Sequence, residues 1–253
     1  RDLVRSRGLG DVYKRQYSDL TFPPLPELRV PDYDRFRLAN GLTVYLVEDH
    51  ELPLVSGWTL VRVGSRWEPL AQTGLAAVTG EALREGGTTQ HPAAVLDRLL
   101  EERGASIESS MGTTSGAVSF NALSENFAAV LGWFGEVIQS PAFEPAKLDL
   151  IKTQIRGNIA RRNDDPGSIA SREFSKLIYG STSPYARTVE YETLGKISRE
   201  DAIAFYERYV TPENMILGVV GDFDRAKARQ AIEAVFGSWS GASGAAKRRE
   251  PVP

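Results

Sequence analysis

The sequence predicts an α+β domain: a mostly antiparallel sheet with helices packed against one face. Three observations point there. Stretches with strand alternation and stretches with helical spacing come in runs, not in the strict alternation of a doubly wound parallel sheet. Asn40-Gly41 separates two short alternating apolar runs, a strong hairpin signal because both residues tolerate positive φ. The chain has 253 residues, 42% hydrophobic and 25% charged, enough to bury a substantial core without crosslinks.

The elements follow in order. Residues 22–31 (FPPLPELRVP) are proline-rich and read as an extended lead-in, which runs from 17 to 34. Residues 36–38 and 43–47 form the hairpin, and 54–63 a long strand interrupted near Gly57. Residues 74–84 carry helical spacing, and Gly86-Gly87 supplies the stop. A second helix spans 92–103, with Val95, Leu99 and Leu100 on one face. Residues 106–110 and 117–122 read as paired strands. Helices follow over 125–139, 145–162 and 168–179. Ser198 and Asp201 form a capping box ahead of a helix over 199–209. Residues 214–220 are an apolar strand and 226–236 the last helix. Trp58, Trp133 and Phe134 are assigned to the core, and Trp67, between Arg66 and Glu68, to the surface.

The two ends stand apart. Residues 1–16 (RDLVRSRGLGDVYKRQ) have no clear period, resemble read-through from a sequencing adapter, and are set aside. The natural start is then expected upstream, so a leader segment is neither seen nor excluded. Residues 240–253 read as a linker toward a second domain that is missing.

Composition excludes several functions. The chain has no cysteine, which removes disulfides, thiolate metal sites and a cysteine nucleophile. A formal net charge of −3 gives no whole-protein attraction to nucleic acid or anionic lipid. No apolar run approaches the roughly 18–20 residues of a membrane span.

Several landmarks, in this order and spacing, resemble the amino-terminal domain of the pitrilysin/insulinase metallopeptidase family. They are Phe36-Arg37-Leu38-Ala39-Asn40-Gly41-Leu42-Thr43-Val44, then Gly74-Leu75-Ala76 with Gly87-Thr88, then Asp164-Asp165-Pro166. Ser183-Pro184-Tyr185 and Val220-Gly221-Asp222 complete the set. The resemblance covers about 31–239. It implies one metallopeptidase-like domain over 35–239 with a six-stranded, mainly antiparallel sheet. It also implies an envelope or periplasmic setting.

The family binds zinc through an inverted motif, His-x-x-Glu-His, on one helix. Two histidines at i and i+4 share one ion, and the glutamate takes a proton from the bound water. Here the resemblance places the first histidine position on Ala77, the general base on Gly80 and the second histidine on Glu81. The third ligand, counted from Asp164-Asp165-Pro166, falls on Asn158. Alanine and glycine offer no donor, and residues 74–88 contain no histidine. The expectation is a member without catalytic zinc or other cofactor, paired with a zinc-bearing homologous subunit and helping to enclose peptide. A core-type structural subunit is the alternative, and an active hydrolase with an unrecognised site a remoter one.

Other candidates are weaker. His50 and His91 are 41 residues apart in polar loops, without metal-ligand spacing. Glu81 and Glu85 lie i, i+4 on one helix face, where a shared proton or weak cation competes with simple solvation. Lys152, Arg156, Arg161 and Arg162 form a basic side, read as a solvated face with i, i+4 pairing. Gly112 and Gly116 lack the Lys-Ser/Thr of a phosphate loop. The resemblance makes Ser106, Ile107, Glu108 and Ser109 an edge strand able to pair with extended peptide through backbone groups.

Overall fold

The computed structural model describes residues 23–24 and 31–241. The segments set aside at 1–16, most of the lead-in, and the linker beyond 241 lie outside the described residues. Along the chain come β1 (Asp34–Arg37), β2 (Thr43–Glu48), β3 (Leu54–Val61), α1 (Leu75–Glu85) and α2 (Ala93–Glu101). Next are β4 (Ser106–Met111), β5 (Gly116–Leu123), α3 (Phe127–Gln139), α4 (Pro145–Arg161) and α5 (Pro166–Tyr179). The short α6 (Tyr191–Gly195), α7 (Arg199–Tyr209), β6 (Met215–Gly221) and α8 (Arg225–Phe236) complete the order.

The six strands form one mixed sheet in the order β1-β2-β6-β3-β5-β4. The pairings β1–β2, β3–β6, β3–β5 and β4–β5 are antiparallel, as expected. The pairing of β2 with β6 is parallel, so the sheet is mixed where a mainly antiparallel one was expected. The cause is topological. A short loop joins β2 to β3, so the two run in opposite directions. A strand inserted between them must be parallel to one, and hydrogen-bond pairing puts β6 parallel to β2.

The core lies between the sheet and the helices. Val44, Leu46, Val55, Val61, Val118, Phe120, Leu217 and Val219 face it from the strands, and Val130, Leu131, Phe134 and Ile138 from α3. Phe134 meets Phe120 edge-on at 4.9 Å between centroids, a favourable aromatic arrangement. β3 runs unbroken through Gly57, contrary to the predicted interruption. A Cβ there would come within 2.2 Å of the Phe120 ring, so the glycine makes room for that ring.

Trp58 is not core. It alternates to the outer sheet face with Leu54 and Leu60, is 50% exposed, and lays its ring over Gly218. Trp67 is partly buried against the core, with the Arg66 guanidinium 5.6 Å from its ring. Trp133 is also partly buried, under Arg103. The basic residues of α4 do not pair along the helix. Lys152 donates to the Ile197 carbonyl at 2.8 Å, and Arg162 grips Glu190 through two hydrogen bonds.

Candidate functional site

Helix α1 carries the positions at which the sequence places the erased metal site. Its start is fixed by a buried carboxylate. Gly74 sits at φ 108°, which favours glycine, and the Glu68 side chain accepts from Gly74 N at 2.9 Å and Ala76 N at 2.8 Å. Burial pushes the Glu68 carboxyl above its ordinary pKa, while those two N–H groups and the Arg187 charge pull the other way. Arg187 lies 3.8 Å from Glu68 Oε1 and donates to the carbonyls of Ser65 and Glu68. Nothing in the local pattern of the sequence announced this pair, because its members are far apart in the chain.

A cavity of about 220 Å³ opens beside this pair, walled in part by Ala77, Met111 and Val189. Ala77 thus occupies the cavity wall with no donor to offer. Gly80 is fully enclosed against β4: an added Cβ would lie 2.4 Å from Met111 N and 2.8 Å from Ser110 C. Contacts below 3.0 Å to backbone cannot be relieved by a rotamer change. A glutamate general base therefore has no room at position 80.

The strand is also stitched to the helix. Ser109 Oγ donates to the Gly80 carbonyl at 2.6 Å and accepts from Arg84 N at 3.1 Å. Those two groups face each other across one turn of a regular helix. Glu81 is half-buried, and its carboxyl is raised above its ordinary pKa by burial and then by the Glu85 charge. Asn158 is exposed on α4. The zinc that the resemblance implies does not fit this set: one carboxylate and one amide replace the three donors a catalytic zinc needs. Among the described residues no group of three His, Cys, Asp or Glu is arranged to hold a metal.

Strand β4 is the last strand of the sheet and holds Ser106, Ile107, Glu108 and Ser109. Glu108 is exposed on the outer face, whereas Ile107 is buried and Ser109 turns toward α1. Arg84 Nε donates to the Ile107 carbonyl at 3.1 Å, a contact without a sequence signal.

Neither histidine meets this site. His50 Nδ1 lies 2.6 Å from Asp222 Oδ1, and Ser124 Oγ donates to Asp222 Oδ2 at 3.0 Å. The carboxylate therefore stands between hydroxyl and imidazole. The serine does not give its proton to the histidine, so no activated nucleophile results. The Asp222 hydrogen bond and charge raise the His50 pKa. His91 pairs with Glu136 at 2.7 Å.

A six-stranded mixed sheet with a helix laid on its last strand, its N-terminus held by a buried glutamate, is an α+β domain that fits the fold the resemblance implies. The comparisons agree. Residues 43–187 match the insulinase (peptidase family M16) family model, and 196–253 match the peptidase M16 inactive domain. The first match spans more than half of the chain, and the chain belongs to peptidase family M16.

The chain is 24% identical over 204 residues to an uncharacterized zinc protease of Rickettsia felis, covering 80% of this chain and 49% of that protein. It is 24% identical over 217 residues to cytochrome b-c1 complex subunit 1 of Bos taurus, covering 85% and 44%. The crystal structure of a peptidase M16 inactive domain from Pseudomonas fluorescens superposes with a TM-score of 0.78 at 25% identity, covering 87% of this chain and 54% of that one. The chain thus spans about half the length of the relatives it matches.

Proposed function

We propose that this chain is a non-catalytic member of the family. It carries no catalytic zinc and acts beside a zinc-bearing homologous subunit, helping to enclose extended peptide. The observation that carries this reading is Gly80. Its position lacks a base, and the β4 backbone fills the space a base would need. Ala77, Glu81 and Asn158 supply no converging donor set. The similarity to a solved inactive domain and the match to the inactive-domain family model support the same reading.

A second reading is a structural subunit of a larger complex. The likeness to cytochrome b-c1 complex subunit 1 favours it. No helix among the described residues is long and apolar enough to cross a membrane. Both readings share the loss of chemistry and differ in the partner.

Zinc content of the dialysed protein, with a peptidase assay, tests the shared part. Below about 0.1 zinc per chain and no hydrolysis are expected, whereas near one zinc per chain would sink the reading. Co-purification with a subunit bearing His-x-x-Glu-His then separates the peptidase partner from the structural role.

A further inference from the structure

The proposed role in enclosing peptide requires a surface that a peptide can reach, and the edge of β4 is the natural one. That edge is not free. We propose that Arg84, held by Asp97, is a latch that closes the β4 edge, and that the ligand class it excludes is an extended polypeptide pairing through its backbone. This rests on the peptide-enclosing part of the proposed function and not on the missing zinc.

The pairing pattern shows which groups the edge presents. Val118 on β5 is opposite both Thr59 on β3 and Ser109 on β4. Thr59 Oγ1 donates to the Val118 carbonyl at 3.2 Å and accepts from its N–H at 3.0 Å, so both Val118 groups point toward β3. Ser109 and Val118 are then a pair that exchanges no backbone hydrogen bonds across β4–β5. By the alternation of an antiparallel ladder, Ile107 and Ser109 turn their N–H and C=O groups away from the sheet. Such a row is a template for another strand.

Arg84 of helix α1 already holds one group of that row. Arg84 Nε donates to the outward carbonyl of Ile107 at 3.1 Å, and Arg84 Nη2 reaches Asp97 Oδ1 on α2 at 2.6 Å. The Arg84 side chain is 13% exposed and that of Asp97 53%. The guanidinium thus lies under its carboxylate, pressed on the strand. At the other end of β4 the α1 backbone at Gly80 abuts Met111 N. An incoming strand must donate to the Ile107 carbonyl, the atom Arg84 holds, and must displace a charge-assisted pair to do so. Asp97 sits at the surface, where a partner subunit can reach it. The latch can therefore open without unfolding α1.

The test is binding of a fluorescein-labelled decapeptide of alternating Val and Thr, followed by fluorescence anisotropy on the full chain. The wild type is expected to show no saturable binding at about 100 µM, and Arg84→Ala and Asp97→Ala to bind at least about tenfold tighter. The same peptide N-methylated at every residue should lose that gain, because neither of its edges can then donate to Ile107. Asp97→Ala leaves the Arg84 stem packed, so it remains informative if Arg84→Ala does not fold. Equal binding by wild type and a folded variant overturns the latch, whether both bind or neither does. Failure here leaves the zinc result untouched, and zinc near one per chain would sink the non-catalytic reading without touching the latch.

Discussion

Helices α1 and α5 make opposite use of their apolar residues. α1 buries Leu75, Ala76, Val78, Thr79, Gly80, Ala82 and Leu83, and is tied by side chains at both ends. α5 buries none of its residues and leaves Phe174 63%, Leu177 80% and Ile178 57% exposed, at i, i+3 and i+4 on one face. The helix on which the resemblance places the metal site is the one the fold cannot spare. α1 is held without metal donors, by Glu68, Ser109 and the β4 backbone. α5 can change freely without disturbing the core.

The sharpest way to break that contrast is Gly80→Glu. Overpacking against β4 and burial of an unpaired carboxylate should together remove about 4 kcal/mol or more of stability in urea titrations. A variant with wild-type stability would mean that α1 and β4 separate easily. Glu68→Ala comes next. It strips the α1 N-terminus of its acceptor and leaves Arg187 buried without its counter-charge, for a loss of about 3 kcal/mol by thermal melting. Loss of less than about 1 kcal/mol would say that the pair is not what anchors α1.

On the other side of the contrast, Leu177→Ser should change stability by no more than about 0.5 kcal/mol. A larger loss would show that the α5 face is covered in the intact protein.

The smallest effect is at Glu81. Its folded pKa is raised, so its contribution to stability is fully present below the unfolded pKa and is lost as pH rises through the folded one. Glu81→Gln should therefore stabilise at pH 7 by a few tenths of a kcal/mol, comparable to relief of one like-charge i, i+4 pair. The gain should vanish near pH 3, where the raised Glu81 carboxyl is protonated, so an equal gain at both pH values would point to packing and not charge.

Much of this was written in local pattern. Asn40-Gly41 marked the hairpin, Ser198 and Asp201 capped α7, and alternation placed β4, β5 and β6 within a residue or two. Period alone did not fix which face of β3 meets the core, so Trp58 was misplaced. Gly57 read as a break because the sequence does not show the Phe120 ring across the strand. That Ala77 and Gly80 carry no donor side chain is a matter of residue type and needed no fold to be seen. The steric closure at Gly80, the Arg84 grip on Ile107 and the Glu68–Arg187 pair were not legible in the sequence. Each joins groups brought together only by the tertiary fold.

The place of β6 has a consequence for the order in which the molecule comes into being. This strand lies near the middle of the sheet yet is the last to leave the ribosome. Until residues 215–221 exist, the β1–β2 hairpin and the β3–β5–β4 ribbon share no backbone pairing and wait with a gap between them. A chain stopped short of Met215 would not be a smaller version of the domain. It would be two strand assemblies with bare inner edges, the kind of species that associates instead of folding.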